Sequence, residues 1–223
     1  TDGDSIAQVL GSAIHAFAAL MVQEEGINES ILVEKLKNSW NLIDPQEGWV
    51  SKGSQDKAIA MISRFMKYHI KHERDVVGVE LKFDVTVGKA RIIGTVDRLE
   101  VDSAGNLFVI DFKTSKDPIS YDKAKENLQL KSYQIAVTEG GFKAHHASTT
   151  SSGAALIYLG HDVQKISSRE QEPIDIQAAR TRIEGIAESM GAAQFVAATN
   201  KRCKECPVKS SCPIKAEART VIE

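Results

Sequence analysis

The chain has 223 residues, of which 42% are hydrophobic and 26% are charged, and its formal net charge is -2. This composition is that of a folded globular protein and excludes a chain that is disordered throughout. No stretch reaches the roughly 20 apolar residues of a membrane span, and residues 1–20 lack the pattern of a signal peptide, so we expect no membrane association.

The N-terminal third of the chain, residues 1–74, is predicted to be helical. Its apolar residues recur at intervals of three and four, which is the period of an amphipathic helix. Pro45, Gly48 and Gly53 form a cluster that is typical of a loop. The predicted helices lie at about 6–21, 29–42 and 54–72.

The hydrophobic period changes after residue 75, where three β-rich runs follow one another. They are joined by Gly88-Lys89 and by Ala104-Gly105-Asn106, which have the composition of tight hairpin turns. Strands joined in this way pair antiparallel, so a meander is predicted. The three strands lie at 76–87, 90–101 and 106–112.

The rest of the chain alternates helix and strand and ends in a tail that contains the cysteines. Together these patterns predict an α/β (α+β) fold with a central mixed sheet, an αβββαβ order, extra N-terminal helices and a C-terminal helix. The economical arrangement is one domain over 1–223, divided into 1–74, a core at 75–160, and 161–223. The predicted elements are a helix at 121–139, a strand at 154–160 with a short partner after His161, and a helix at 175–197.

The third strand ends with Asp111 and Lys113, separated by Phe112. Because side chains alternate along a strand, the carboxylate and the ammonium emerge on the same face. A symmetric second hairpin places Asp97 opposite residue 112 or 113. Neighbouring carboxylates repel each other unless a cation lies between them, and oxygen ligands suit magnesium, manganese or calcium. The spacing therefore indicates a metal site, with an exposed ion pair of little energetic value as the alternative.

Four motifs together resemble the RecB-like branch of the PD-(D/E)XK nuclease superfamily. They are Gly-x-x-x-His ending at His15, Gly-x-x-Asp-Arg starting at Gly94, Asp-x-Lys-Thr starting at Asp111, and Gln-x-x-x-Tyr at Gln129 and Tyr133. The predicted β-β-β-α-β order also resembles the restriction-endonuclease-like core of that superfamily. The resemblance covers almost the whole chain, and the combination is specific although no single motif is.

The resemblance implies a divalent-metal-dependent DNA nuclease that uses Mg²⁺ or Mn²⁺ to hydrolyse phosphodiester bonds. The implied catalytic residues are Asp97, Asp111 and Lys113. The implied metal ligands are His15, Asp97, Asp111 and the backbone carbonyl of Phe112. The implied supporting or DNA-positioning residues are Glu80, Gln129 and Tyr133. Taken singly, His15 also fits a core histidine, Glu80 a surface acid and Tyr133 a packed aromatic.

All three cysteines lie in a Cys-x2-Cys-x5-Cys arrangement at Cys203, Cys206 and Cys212. Such clustering outside secreted proteins indicates metal binding rather than disulfides. A zinc or an iron-sulfur cluster normally takes four protein ligands, and this chain offers three thiolates. The tail resembles that of iron-sulfur RecB-like nucleases, whose first cysteine precedes the Gly-x-x-x-His helix. The resemblance implies a [4Fe-4S] cluster with a fourth cysteine outside this chain, which would make the chain a fragment; a three-cysteine or zinc site and an empty tail are the alternatives.

The implied partners are DNA and a helicase or ATPase motor, as in AddB/AdnB-type helicase-nucleases that act in bacterial double-strand break repair. No Gly-x-x-x-x-Gly-Lys-[Ser/Thr] phosphate loop occurs, so the motor would lie upstream in the same polypeptide or in a partner subunit. The expected location is the bacterial cytoplasm, at the nucleoid. The alternatives are a free-standing CRISPR-associated or phage-type exonuclease, a catalytically inactive DNA-binding or scaffolding module, and a zinc-stabilised interaction domain.

Overall fold

The computed structural model describes residues 6–24, 26–45, 48–71, 73–161, 166–193, 198–212 and 214. Its centre is a five-stranded mixed sheet in the order β1-β2-β3-β4-β5. The strands are β1 (Asp75–Val87), β2 (Ala90–Val101), β3 (Leu107–Lys113), β4 (Ser151–Tyr158) and β5 (Ser167–Gln171).

Helices cover both faces of this sheet, so the predicted mixed α/β fold with the αβββαβ order is confirmed. None of the described helices is long and apolar enough to cross a membrane. The helices are α1 (Ile6–Gln23), α2 (Glu29–Asn38), α3 (Trp40–Ile43), α4 (Trp49–Lys71), α5 (Tyr121–Lys125), α6 (Leu128–Thr138) and α7 (Ile176–Gly191), with short 3-10 turns at Lys201–Glu205 and Lys209–Ser211.

The connections between strands bring the ends of β3 and β4 together. Strands β1, β2 and β3 form the predicted antiparallel meander, whereas β3 and β4 are parallel and β4 and β5 are antiparallel. A parallel pair needs a crossover connection, and here the crossover carries α5 and α6. As a result, Lys113 at the end of β3 pairs directly with Tyr158 at the end of β4.

Strand β3 is buried on both faces, which explains its continuous apolar sequence. On one face, Phe108, Ile110 and Phe112 pack in a core with buried residues of α1, α2 and α4. On the other face, Leu107 and Val109 pack in a second core with α6. The alternation of side chains along β3 therefore divides the molecule into two hydrophobic layers.

Two predicted helices are each divided in two by a polar residue. The helix predicted at 121–139 is interrupted at Asn127, whose Oδ1 accepts a hydrogen bond from the Leu130 amide at 3.0 Å and caps α6. The helix predicted at 29–42 is interrupted at Ser39. The Asn127 side chain thus offers the backbone a capping alternative to a continuous helix, whereas the Ser39 side chain makes no capping hydrogen bond to α3. Residues 72 and 194–197, which the predicted helices included, lie outside the described residues.

Helix α4 begins at Trp49 and includes Gly53, so the prediction of a loop at Gly53 was wrong. The first turn of α4 is anchored from outside the helix, because the indole Nε1 of Trp40 donates a hydrogen bond of 2.9 Å to the buried hydroxyl of Ser51. This tertiary contact helps to offset the cost of about 1 kcal/mol of a glycine inside a helix.

The loop between β2 and β3 is longer than the predicted turn at 104–106. The Asp102 carboxylate accepts hydrogen bonds of 2.9 Å from the backbone amides of Ala104 and Asn106. An aspartate that bonds its own following backbone in this way forms a compact turn. The turn therefore starts at Asp102.

The longer loop changes the register of the second hairpin. Arg98 pairs with Ile110, which puts Asp97 level with Asp111. The prediction that Asp97 lies opposite residue 112 or 113 was therefore wrong by one or two positions. The correction brings the two carboxylates into the same row of the sheet.

Gly160 lies where the chain passes closely over the end of β3, whereas Gly185 lies in an open part of α7. Substituting each of them with alanine should therefore change the free energy of unfolding in opposite directions. A Cβ atom at Gly160 would lie 1.9 Å from the Thr114 carbonyl oxygen, whereas a Cβ atom at Gly185 within α7 would meet nothing within 4 Å. We expect Gly160→Ala to lower the free energy of unfolding by about 1–3 kcal/mol and Gly185→Ala to raise it by up to about 1 kcal/mol. Urea denaturation of both variants beside the wild type measures this, and an unchanged midpoint for Gly160→Ala would contradict the packing.

Candidate functional site

Asp97 belongs to β2, and its carboxylate contacts both the neighbouring strand β3 and the first helix, α1. The backbone amide of Phe112 donates a hydrogen bond of 2.6 Å to Asp97 Oδ2. Asp97 Oδ1 lies 3.2 Å from Nδ1 of His15. The backbone of β3 thus holds one carboxylate oxygen while the other meets the imidazole from α1.

Helix α1 passes directly over the segment that follows Lys113. A Cβ atom at Gly11 would lie 3.5 Å from the Thr114 hydroxyl oxygen, so Gly11 lies close to Thr114. Gly11 and His15 are four residues apart and therefore lie on the same face of α1. The Gly-x-x-x-His and Asp-x-Lys-Thr motifs are thus neighbours in the folded chain.

Asp111 is held by a ring of polar groups from β3 and α6. Its Oδ1 accepts hydrogen bonds from Gln129 Nε2 at 2.8 Å and from the Tyr133 hydroxyl at 3.0 Å. Its Oδ2 lies 2.6 Å from the Lys113 ammonium, which also donates to Gln129 Oε1 at 3.1 Å. The predicted Asp-x-Lys pair and the Gln-x-x-x-Tyr pair therefore form one hydrogen-bonded unit. Asp111 itself is only 3% exposed.

Glu80 in β1 joins His15 and Asp97 through an unusual backbone conformation. Its φ of 50° lies in the left-handed region, which costs a non-glycine residue roughly 1–2 kcal/mol. The strand pairs regularly on both sides, with Val79 opposite Arg98 and Leu81 opposite Val96, so Glu80 lies level with Asp97. Such strain is often found at functional sites.

One group of side chains in the described part of the chain could hold a metal ion. His15, Glu80 and Asp97 each offer a ligand atom, and these atoms all lie within 4.8 Å of one another. A cavity of about 540 Å³ opens beside them and is lined by residues that include His15, Glu80 and Gly11. One imidazole and two carboxylates form a donor set that suits magnesium or manganese.

Burial and a neighbouring carboxylate both raise the pKa of two of the acids. Burial and then the charge of Asp97 raise the pKa of Asp111 above its ordinary value, against the opposing effect of Lys113. Burial and Asp97 likewise raise the pKa of Glu80. Within the described residues, Asp111 Oδ2 is buried and receives no hydrogen bond of good geometry, so only the ion pair with Lys113 holds it. The cluster therefore has an excess of negative charge that a cation would neutralise.

The structure thus brings most of the predicted site residues together in two adjacent groups. His15 and Asp97 stand with Glu80, while Asp111 is turned toward Lys113, Gln129 and Tyr133. Metal binding by Asp111 and by the Phe112 carbonyl stays a prediction, as do the catalytic roles.

The cysteine tail forms two short turns. Cys203 lies in the first 3-10 turn, Cys206 directly follows it, and Cys212 directly follows the second. All three thiols are free and half-buried. The backbone amide of Asn200 donates to the Cys203 sulfur at 3.2 Å. The predicted cluster stays a prediction.

Behind the site lies a charged network that the sequence analysis missed. Arg98, next to Asp97, is fully buried and lies 2.8 Å from the buried Glu100 carboxylate, with His69 Nδ1 2.9 Å from its guanidinium. The Tyr68 hydroxyl contacts the same carboxylate at 3.4 Å. This network ties β2 to α4. The available signal was a charged pair, Arg98 and Glu100, with the two-residue spacing of one strand face.

Comparison with known proteins gives a family for the chain. The model of the PD-(D/E)XK nuclease superfamily matches residues 2–213, and the match is to the superfamily as a whole. Among curated proteins no significant match is found. A solved structure described as the crystal structure of SSO0001 aligns with 17% identity and a TM-score of 0.35, covering 96% of this chain and 98% of that one. A likeness at that TM-score supports no conclusion about function.

The His15 imidazole should make the stability of the metal-free protein depend on pH. Burial lowers the pKa of His15, but the carboxylates of Asp97, Asp111 and Glu80 outweigh burial and raise it above 6.5. A raised pKa in the folded state means that the contact stabilises the protein below the unfolded value and that this contribution is lost as the pH rises through the folded value. In EDTA, we expect His15→Gln to lower the free energy of unfolding by up to about 1 kcal/mol at about pH 6 and by less at about pH 8.5. Urea denaturation at both values measures this, and an equal cost at both would contradict it.

Proposed function

The chain belongs to the PD-(D/E)XK nuclease superfamily, and we propose that it is a divalent-metal-dependent deoxyribonuclease that hydrolyses phosphodiester bonds. The observation that carries this proposal is the arrangement at the end of β3. There, a group of potential metal ligands from three elements stands beside a lysine that is held by a buried carboxylate.

His15, Glu80 and Asp97 would hold Mg²⁺ or Mn²⁺, with Asp111 and the Phe112 carbonyl as further predicted ligands. A bound divalent ion would polarise a phosphoryl oxygen and acidify a water molecule. The excess negative charge of the carboxylates and the cavity beside His15 and Glu80 support this role.

Lys113 would supply positive charge to the phosphate in the transition state. Its side chain is 32% exposed, while the Asp111 carboxylate beneath it is 5% exposed. The ammonium is held by Asp111 on one side and by the Gln129 amide oxygen on the other. Because these bonds position the charge before the substrate arrives, the ammonium would not have to reorganise during the reaction.

Gln129 would orient the other groups. Its Nε2 donates to Asp111 Oδ1 and also to the Tyr133 hydroxyl, at 2.7 Å. Tyr133 is 7% exposed and Gln129 is exposed. This difference supports a role for Tyr133 in holding Asp111 and for Gln129 in reaching DNA.

We further propose that the chain belongs to the RecB-like branch and forms the nuclease module of a bacterial helicase-nuclease that acts in double-strand break repair. In this proposal, residues 1–223 form one domain in the cytoplasm at the nucleoid, and the motor lies upstream or in a partner subunit. The support is that all four branch motifs meet at one site in the fold. The presence of His15, Asp97, Asp111 and Lys113 together favours an active enzyme over an inactive DNA-binding module.

The nuclease proposal predicts metal-dependent cleavage that requires Asp111 and Lys113. We expect the wild type to cleave labelled single- or double-stranded DNA in Mn²⁺ at least as well as in Mg²⁺, and not in EDTA. Asp111→Asn and Lys113→Ala should each reduce the rate by about 100-fold or more. Lys113 supplies positive charge at the reacting phosphate, and Asp111 holds that ammonium and is a predicted metal ligand.

Lys89→Ala is the matched control, since Lys89 is an exposed lysine in the turn between β1 and β2. Its cleavage rate should equal that of the wild type. Unfolding curves would establish that all variants are folded. Cleavage that persists in EDTA, or that survives in Lys113→Ala, would contradict the proposed chemistry.

The tail would bind a [4Fe-4S] cluster through Cys203, Cys206 and Cys212, with a fourth cysteine outside this chain. The hydrogen bond from Asn200 to the Cys203 sulfur supports this, because backbone amides commonly donate to cluster sulfurs. A chain extended upstream to include the fourth cysteine should contain iron and absorb visible light when it is isolated without oxygen, and Cys206→Ser should lose both. Absence of iron and of absorbance in the extended wild type would sink this prediction.

A further inference from the structure

Helix α5 presents an exposed aromatic ring that the site described above does not use. Tyr121, the first residue of α5, is 64% exposed. The guanidinium carbon of Arg169 lies 4.2 Å from the centre of the Tyr121 ring, which is the geometry of a cation-π contact. One face of the ring is thus supported by protein while much of the side chain remains open to solvent.

Arg169 is itself fixed and can hold the ring in place. Its Nε donates to the Ile119 carbonyl at 2.6 Å, and its Nη1 donates to the Ser168 carbonyl at 2.8 Å. Two backbone acceptors on different segments therefore position the guanidinium. A ring stacked on such a group loses little conformational freedom when a ligand binds its other face.

This aromatic platform, formed by Tyr121 and Arg169, lies at the same end of the sheet as the candidate active site. Asp111 pairs with Leu156, and Leu156 pairs with Arg169. Asp111 and Arg169 thus occupy one row across three strands, and two strand spacings are roughly 10 Å. The platform is therefore a few nucleotides away from the candidate active site.

A second contact ties the platform to the lysine of the site. The Ile119 amide donates to the Tyr158 hydroxyl at 3.3 Å, and Tyr158 pairs with Lys113. The segment that leads into Tyr121 is therefore attached to the strand next to Lys113. Its position relative to the site is set by the sheet rather than by a free loop.

The charge around the platform suits a polyanion. Residues 113–131 contain five lysines and three acidic residues, a local excess of two positive charges in a chain whose net charge is -2. Lys116, Lys123 and Lys125 are exposed. Lysines interleaved with an exposed aromatic ring are the usual composition of surfaces that bind single-stranded nucleic acid, where phosphates meet the charges and a base stacks on the ring.

We propose that Tyr121, supported by Arg169, stacks on an unpaired base of single-stranded DNA whose phosphate backbone enters the site at Lys113. This inference rests on the proposed nuclease function and adds a substrate preference to it. The bases of a duplex are already stacked on their neighbours, so their faces are not available to the ring. The platform therefore makes the protein prefer single strands, or frayed ends, over blunt duplex.

The test is binding of a fluorescent oligothymidylate and of a blunt duplex of equal length, measured by anisotropy in EDTA so that no cleavage occurs. Tyr121→Ala should weaken binding of the single strand about tenfold, because stacking on one base is of that size, and should change duplex binding less than about twofold. Tyr121→Trp should retain single-strand affinity, since an indole also offers a stacking face. Trp49→Ala, which removes an exposed aromatic side chain at the start of α4, is the matched control and should bind like the wild type.

Equal single-strand affinity of Tyr121→Ala and the wild type would overturn the proposal, as would wild-type protein that does not bind the oligothymidylate. Equal losses for single strand and duplex would overturn it too, since they would indicate a general loss of structure or charge. If the wild type cleaves DNA but Tyr121→Ala binds single strands normally, the stacking proposal fails and the nuclease proposal stands. If the wild type binds single strands through Tyr121 but cleaves no DNA, the nuclease proposal fails and the stacking proposal stands.

Discussion

The carboxylates of Glu80, Asp97 and Asp111 lie close together near the end of β3, and holding them there requires partners from several elements. Burial, and after it the charge of Asp97, raises the pKa of Asp111 and of Glu80. Asp97 is held by the His15 imidazole from α1 and by a backbone amide of β3, whereas Asp111 is held by Lys113 and by two side chains of α6. Because these partners come from both helical layers, the site forms only when both layers are packed on the sheet.

Strand β3 contributes residues to both hydrophobic cores and to the candidate site. Its alternate residues fill one core and then the other, and the same alternation turns Asp111 and Lys113 to one face at its end. The parallel neighbour β4 extends this organisation to the edge of the sheet, where Arg169 occupies the row of Asp111. The crossover that a parallel pair requires also delivers α5 and α6 to the same end. The crossover between β3 and β4 therefore brings the aromatic platform to the same end of the sheet as the candidate site residues.

Much of the fold could be predicted from the sequence because its signals are local. The three strands of the meander show a period of two and are separated by turn residues, and their predicted ends lie within a residue of the observed ones. The errors occur where one side chain redirects the backbone. Ser51 is bonded by Trp40, so α4 starts early; Asn127 caps α6, so one predicted helix becomes two; and Asp102 enlarges a turn, so the register shifts.

The residue types of the candidate site can be predicted from sequence alone: a histidine on one helix face, an acid in the second strand, a carboxylate-lysine pair, and a glutamine-tyrosine pair one helical turn apart. These predictions need only residue type and short spacing within one segment. The folded structure was needed to show that Glu80 lies beside His15 and Asp97, and that Tyr121 is supported by a residue 48 positions away in the sequence. Contacts of that kind depend on strand register and layer packing, which arise from the whole chain and leave no periodic signal in any one part of it.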